Sequence, residues 1–240
     1  MIKHREKISK TKTVLVYIAT LLLGYVLFII PDVFFGVTKI NGGKQGVNLL
    51  FIALFQFLSI SALLYVSLKL LKVDFTFIGL KFTNFKKDVL LGIVFGALWT
   101  ILQFVIFIPF TGGADRADIK GMLQMYDGSL TGLLSFIALG VIGGGITEEL
   151  FNRGFLINVL KGVFQNPRTG LWISAVLSIL IFSLGHMPVT ALDWFDILVP
   201  TLMYTLLFVF TKRLTASIVA HGVYNSSAIL LTYYMYSDFV

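Results

Sequence analysis

Polarity along this chain alternates between long apolar runs and short interruptions of charge, Gly or Pro. The runs are approximately Thr13–Ile30, Val47–Leu68, Val89–Phe110, Leu130–Gly145 with an amphipathic extension to Phe164, Leu171–His186, Ile197–Thr211 and Leu214–Tyr236. At about 20 residues, the first three match the length a helix needs to cross the ~30 Å hydrocarbon core of a bilayer. The pattern predicts an all-α, polytopic membrane helical bundle of about seven transmembrane helices, or eight if the Leu130–Phe164 stretch is broken in two. No polar, Pro-rich or Ser-rich linker divides the chain, so residues 1–240 read as a single transmembrane domain.

Composition agrees with the pattern. Of the 240 residues 57% are hydrophobic and 13% charged, with a mean hydropathy of +0.91, against roughly 25% charged for a water-soluble domain. There is no cysteine, which excludes disulfides, thiolate metal sites and cysteine nucleophiles together. The net charge of +7 does not point to nucleic acid, because the basic residues lie just outside apolar runs, where they orient a membrane protein.

Counting Lys and Arg by side gives that orientation. One side holds Lys3, Arg5, Lys7, Lys10 and Lys12, the five in the Lys69–Lys87 loop, and Lys161, Arg168, Lys212 and Arg213. The other holds only Lys39, Lys44, Arg116 and Lys120. Fourteen against four predicts a cytoplasmic N-terminus and, with seven spans, an external C-terminus. The basic leader raises the question of a signal peptide, but the apolar part is long. Ile30, Pro31, Asp32 and Val33 offer no small-x-small cleavage site, so a retained first span is expected.

Polar residues inside such runs are costly and therefore candidates for function. Three clusters qualify: Ile146-Thr147-Glu148-Glu149-Leu150-Phe151-Asn152-Arg153-Gly154-Phe155, Phe182-Ser183-Leu184-Gly185-His186, and His221-Gly222-Val223-Tyr224-Asn225. Adjacent carboxylates diverge by about 100° on a helix, so Glu148 and Glu149 cannot serve one face. Glu149 and Arg153, four apart, can pair, which leaves Glu148 free for chemistry. His221 and Asn225 share a face. The bland readings are a solvated helix end for the first cluster and histidines bonded to neighbouring helices for the others. At 1.5 Å per residue, Glu148 lies about 20 Å from Lys161, His221 and Asn225 about 12 and 18 Å from Arg213, and His186 about 22–27 Å from Arg168. Convergence near mid-membrane is compatible with ordinary tilt, with His186 the least comfortable member. Gly140 and Gly144 have the spacing that lets helices approach closely, with a hinge or a water-admitting gap as the alternative.

Peptide hydrolysis needs water, a base and oxyanion stabilisation, and a buried Glu148 suits the base. His186 and His221 could ligate a metal or donate to the oxyanion, and Asn225 could do either. Glu148, His186 and His221 match the inventory of an open zinc site, although no HExxH is present. No GxSxG or GxGD is found, which argues against serine and aspartyl chemistry.

At these residues the chain resembles the CPBP family, the CAAX-protease and bacteriocin-processing (Abi) proteins. Their EExxxR, FxxxH and HxxxN/D motifs stand here as Glu148-Glu149-Leu-Phe-Asn-Arg153, Phe182-Ser-Leu-Gly-His186 and His221-Gly-Val-Tyr-Asn225, within a motif-bearing core of about 130–233. The resemblance implies a helical membrane endopeptidase whose Glu148, Glu149, His186, His221 and Asn225 line a buried cavity. In it Glu148 is the base, Arg153 orients the glutamates, and His221 with Asn225 supports the oxyanion. It also implies a membrane-associated peptide or protein as substrate, cytoplasmic access, a divalent metal such as zinc as candidate cofactor, and links to bacteriocin immunity and peptide processing. The expected location is a bacterial plasma membrane, with lipid as a partner and no nucleic acid. The competing reading is a non-catalytic membrane scaffold or immunity protein that binds a peptide or membrane partner. A third, an ion transporter, lacks a visible inverted repeat.

Overall fold

The structure, a computed structural model, describes residues 9–237. The leader residues Lys3, His4, Arg5 and Lys7 lie outside the described residues. Eight helices are labelled here: α1 (Lys10–Thr38), α2 (Asn48–Leu70), α3 (Phe85–Phe110), α4 (Ala117–Leu123), α5 (Leu130–Lys161), α6 (Pro167–Gly185), α7 (Ala191–Thr211) and α8 (Thr215–Tyr236). No strand occurs among the described residues, as expected where hydrocarbon cannot satisfy an open sheet edge.

All seven expected apolar runs appear as long helices. Six are long and apolar enough to cross a membrane: α1, α2, α3, α5, α6 and α7. The seventh, α8, has 22 residues, about 33 Å of helix, but carries His221, Asn225, Ser226 and Ser227. The Leu130–Lys161 segment runs unbroken, so the eight-span alternative is not taken. The extra helix, α4, has only seven residues. The chain is an integral membrane protein.

Local chemistry sets the helix boundaries. Ser9, Ser129 and Asn166 each accept a hydrogen bond from a first-turn amide of α1, α5 and α6, and Thr190 with Asp193 forms a capping box on α7. These caps satisfy amides that the helix cannot. Large apolar side chains such as Leu22, Leu58, Leu90 and Val105 point outward, the pattern of a lipid-facing surface.

Helix packing is governed by glycine. On α3, Gly92 and Gly96 lie against α8, where an added Cβ would meet Ala216 O at 2.8 Å and Ala220 O at 2.6 Å. On α5, a Cβ at Gly145 would come within 3.1 Å of the Gly222 backbone of α8, and one at Gly144 within 2.5 Å of Asn225 Nδ2. The Gly140/Gly144 spacing is therefore used for close packing. Gly92 and Gly96 do the same work without standing out in the sequence. Residues 139–156 of α5 also wind in wide π-type turns. Within them the Thr147 hydroxyl donates to the carbonyl of Ile142, five residues back, at 2.6 Å. Such turns are rare and concentrate at functional sites.

The ends are pinned by charge. Asp88, fully buried at the start of α3, accepts two hydrogen bonds from Arg213 in the α7–α8 turn, at 2.5 and 2.8 Å. At the opposite end Arg116 is clamped between Asp118 and Asp196.

Because Gly96 faces a backbone carbonyl that cannot move aside, Gly96→Val is expected to destabilise the bundle by about 1–3 kcal/mol through overpacking. Gly36→Val, at a glycine with nothing within 4 Å of its Cβ position, serves as the control and is expected to be near neutral. Thermal unfolding of both variants in detergent checks this.

Candidate active site

The π-wound stretch of α5 presents its two glutamates to different surroundings. Glu149 points into the bundle with no exposed surface and pairs with Arg153, one turn on and equally buried, at 2.9 Å. It also accepts from His221 Nδ1 at 3.0 Å. This excludes the solvated-helix-end reading: neither member of the pair meets solvent. Glu148 keeps 24% of its side chain exposed, and this exposed part lines two cavities of about 410 Å³ each.

Arg153 is held from several sides. Its guanidinium lies 4.4 Å over the Phe182 ring and 5.8 Å from that of Tyr204, and it reaches the Thr201 carbonyl at 3.5 Å. Cation–π contact is strongest where water is excluded, and α6 and α7 both supply it here. Phe182 is thereby a working part of the FxxxH motif: its ring braces Arg153 and its carbonyl holds His186.

His221 is fixed on two axes. The Tyr204 ring stacks on it with centroids 4.6 Å apart and planes 18° apart, and Phe182 meets it edge-on at 6.4 Å. Because ionised Glu149 can only accept, Nδ1 carries the proton. That leaves Nε2 facing Glu148, with Oε2 at 3.9 Å. The gap is too long for a hydrogen bond and suits one bridging water.

Asn225, one turn further along α8, donates Nδ2 to the Gly140 carbonyl at 2.9 Å. This contact fixes its amide orientation and leaves a second N–H. His186 caps the C-terminus of α6. Its Nδ1 donates to the Phe182 carbonyl at 2.9 Å, so its other nitrogen is the free one. His186 lines one large cavity with Glu148, and a smaller one of about 190 Å³ with His221 and Asn225. Glu148, Glu149, Arg153 and His221 thus meet directly, and His186 and Asn225 join them across the cavities.

Other side chains at the site stand out less in the sequence. Asn152 lines the cavity beside Glu148, and its side-chain oxygen Oδ1 has no hydrogen-bond partner among the described residues. Its Nδ2 donates to the Glu148 carbonyl at 3.0 Å. The buried Tyr204 hydroxyl is also without a partner there. Such atoms give a water or ligand something to bond. Gln56 of α2 lines both large cavities. Tyr204 and Gln56 lie in uniformly apolar runs, where a single amphipathic residue carries little signal.

As for a metal, Glu148 and His221 offer two donors 3.9 Å apart. Among the described residues no third His, Cys, Asp or Glu is grouped with them closely enough to complete a metal set. The expected trio with His186 is not assembled in this conformation, and no step below runs through a metal.

Comparison with known proteins gives one match. Residues 130–227, which hold all three motifs, match the family model described as type II CAAX prenyl endopeptidase, Rce1-like. No curated protein and no solved structure matches the chain. Over residues 130–227 the chain is similar to the Rce1-like CAAX proteases, which agrees with the CPBP resemblance of its three motifs.

Proposed function

We propose that this protein hydrolyses a membrane-associated peptide or protein with a water activated by Glu148. The family-model match over residues 130–227 supports a CAAX-protease-type intramembrane endopeptidase; the mechanism is our reading. The observation that carries it is the division between neighbouring carboxylates. Glu149 is neutralised by Arg153 and His221, while Glu148 faces open cavity and has only His221 Nε2 beside it.

In this reading a water lies between Glu148 Oε2 and His221 Nε2. Glu148 takes a proton from it as the oxygen attacks the scissile carbonyl. The second amide N–H of Asn225 is free to donate to the developing oxyanion, with the corresponding N–H of Asn152 close to the base. Glu148 then returns its proton to the leaving nitrogen as the C–N bond breaks, giving a carboxylate and an amine. Glu149 and Arg153 are positioning residues: they set the tautomer and plane of His221. His186 contributes a hydrogen-bond acceptor on the far wall of the cavity.

Glu148→Gln keeps the size of the side chain but removes the base, so peptide cleavage is expected to fall by about 10²–10⁴-fold with little change in thermal stability. Peptides recovered from membranes and medium of cells making equal folded amounts of either protein provide the measurement. Unchanged profiles together with a retained cellular phenotype would instead favour the scaffold reading.

Breaking the buried pair has a different signature. Arg153→Met leaves Glu149 as an uncompensated buried charge and is expected to cost about 3–5 kcal/mol, whereas Glu149→Gln with Arg153→Met recovers most of that stability. In the double variant a neutral amide oxygen replaces the carboxylate that accepts from His221 Nδ1, so it is expected to fold but to cleave more slowly than wild type. Melting curves in detergent and the same peptide profiles separate the two effects.

A further inference from the structure

The two ends of the bundle differ in charge. Among the described residues, the end formed by the start of α1 and by loops 71–84, 162–166 and 212–214 carries, with its flanking turns, eleven Lys and Arg against Asp74 and Asp88. Lys81, Lys161 and Lys212 gather there. The opposite end, formed by loops 39–47, 111–129 and 186–190 with their flanking turns, carries four cations against six Asp. Three of those cations are paired: Lys44 with Asp32, Arg116 with Asp118 and Asp196, and Lys120 with Asp115. Lys and Arg are retained on the cytoplasmic side, which makes the first end cytoplasmic.

The cavities that reach the site run to the second end. One leads from Glu148 and Asn152 past Phe182 to Asp32, Lys44 and Met187. The other leads from Glu148 and Asn225 past Phe136 to Met125 and the same Asp32 and Lys44. The smaller cavity beside His221 ends at Asp196. No residue of the basic-end loops lines any of the three. Toward that end the bundle is sealed by Phe151, Phe155, Leu156, Ile78 and Leu214, each at most 1% exposed and packed in one core.

We propose that the site is loaded from the non-cytoplasmic end, and that its substrate is an extracytoplasmic peptide or membrane-protein segment. The substrate passes the Asp32–Lys44 pair, 2.8 Å apart, which stands at the mouth of both large cavities. Its flanks are apolar. The lobe on one side of Glu148 is walled by Phe28, Ile29 and Val33, and the lobe on the other by Ile52, Phe136 and Ile229. This deepens the peptidase reading and rests on it, and it departs from the cytoplasmic access that the family resemblance implies.

The absence of cysteine makes the test direct. Single-cysteine variants Met187→Cys at the rim, Gln56→Cys on the shared wall and Lys81→Cys at the basic end are treated with a charged, membrane-impermeant methanethiosulfonate. Treatment is done in intact cells and again after permeabilisation. Ile29→Cys reports the same wall should Gln56→Cys fail to fold. The expected result is that Met187→Cys and Gln56→Cys react in intact cells and Lys81→Cys only after permeabilisation. A bulky adduct at Met187→Cys is further expected to lower peptide cleavage at least tenfold. Reaction of the wall cysteine only after permeabilisation, or of Lys81→Cys in intact cells, overturns the proposal. The labelling pattern does not depend on catalysis. If it is as expected while wild type and Glu148→Gln give identical peptides, the entry side stands and the peptidase reading falls.

Discussion

Arg153 is a full positive charge with no exposed surface, set in the middle of a helix inside a membrane bundle. Such a charge is tolerated only with a counter-ion and well-placed partners, and this requirement organises the second half of the chain. Glu149, one turn away on the same helix, supplies the counter-ion. Phe182 from α6 and Tyr204 from α7 supply aromatic faces. Each partner also acts on a histidine. Glu149 holds His221, Tyr204 stacks on it, and Phe182 holds His186. The pair therefore matters more as a fixed reference for two histidines than as a source of stability.

That arrangement requires α8 to lie unusually close to α5. Glycine makes this possible on both sides: Gly144 and Gly145 where α5 meets α8, and Gly92 and Gly96 where α3 presses α8 from behind. A side chain at any of these positions would push His221 and Asn225 away from the glutamates. The wide turns of residues 139–156 belong to the same solution. They loosen the helix where its carbonyls are needed by Asn225 and Thr147.

The outcome is an unequal environment for two adjacent residues of one type. Glu149 is committed to structure, and Glu148 is left with open space, a histidine nitrogen and nearby amides. Two carboxylates whose surroundings differ in this way are the usual basis for dividing roles in an acid–base site. Apolar lobes flank Glu148 on either side.

Much of this is legible in the sequence. Apolar length alone sets the helical membrane class, because a bilayer leaves few alternatives. The four-residue spacings Glu149–Arg153 and His221–Asn225 mark pairs that share a face, since helical geometry is local. Phe182, Tyr204, Gln56 and the Gly92/Gly96 seam are hidden, because an aromatic or small residue in an apolar run looks the same whether it braces a charge or faces lipid. Residue counting leaves His186 the least comfortable member of the set, and in the structure it joins Glu148 and His221 only across the cavities. The spans, their charge bias and the residues rich enough in chemistry to matter can all be read from the chain alone, since each is a property of neighbours in sequence. What fixes the histidines and where the cavities beside Glu148 run are decided only in three dimensions, because each depends on contacts between helices far apart in sequence.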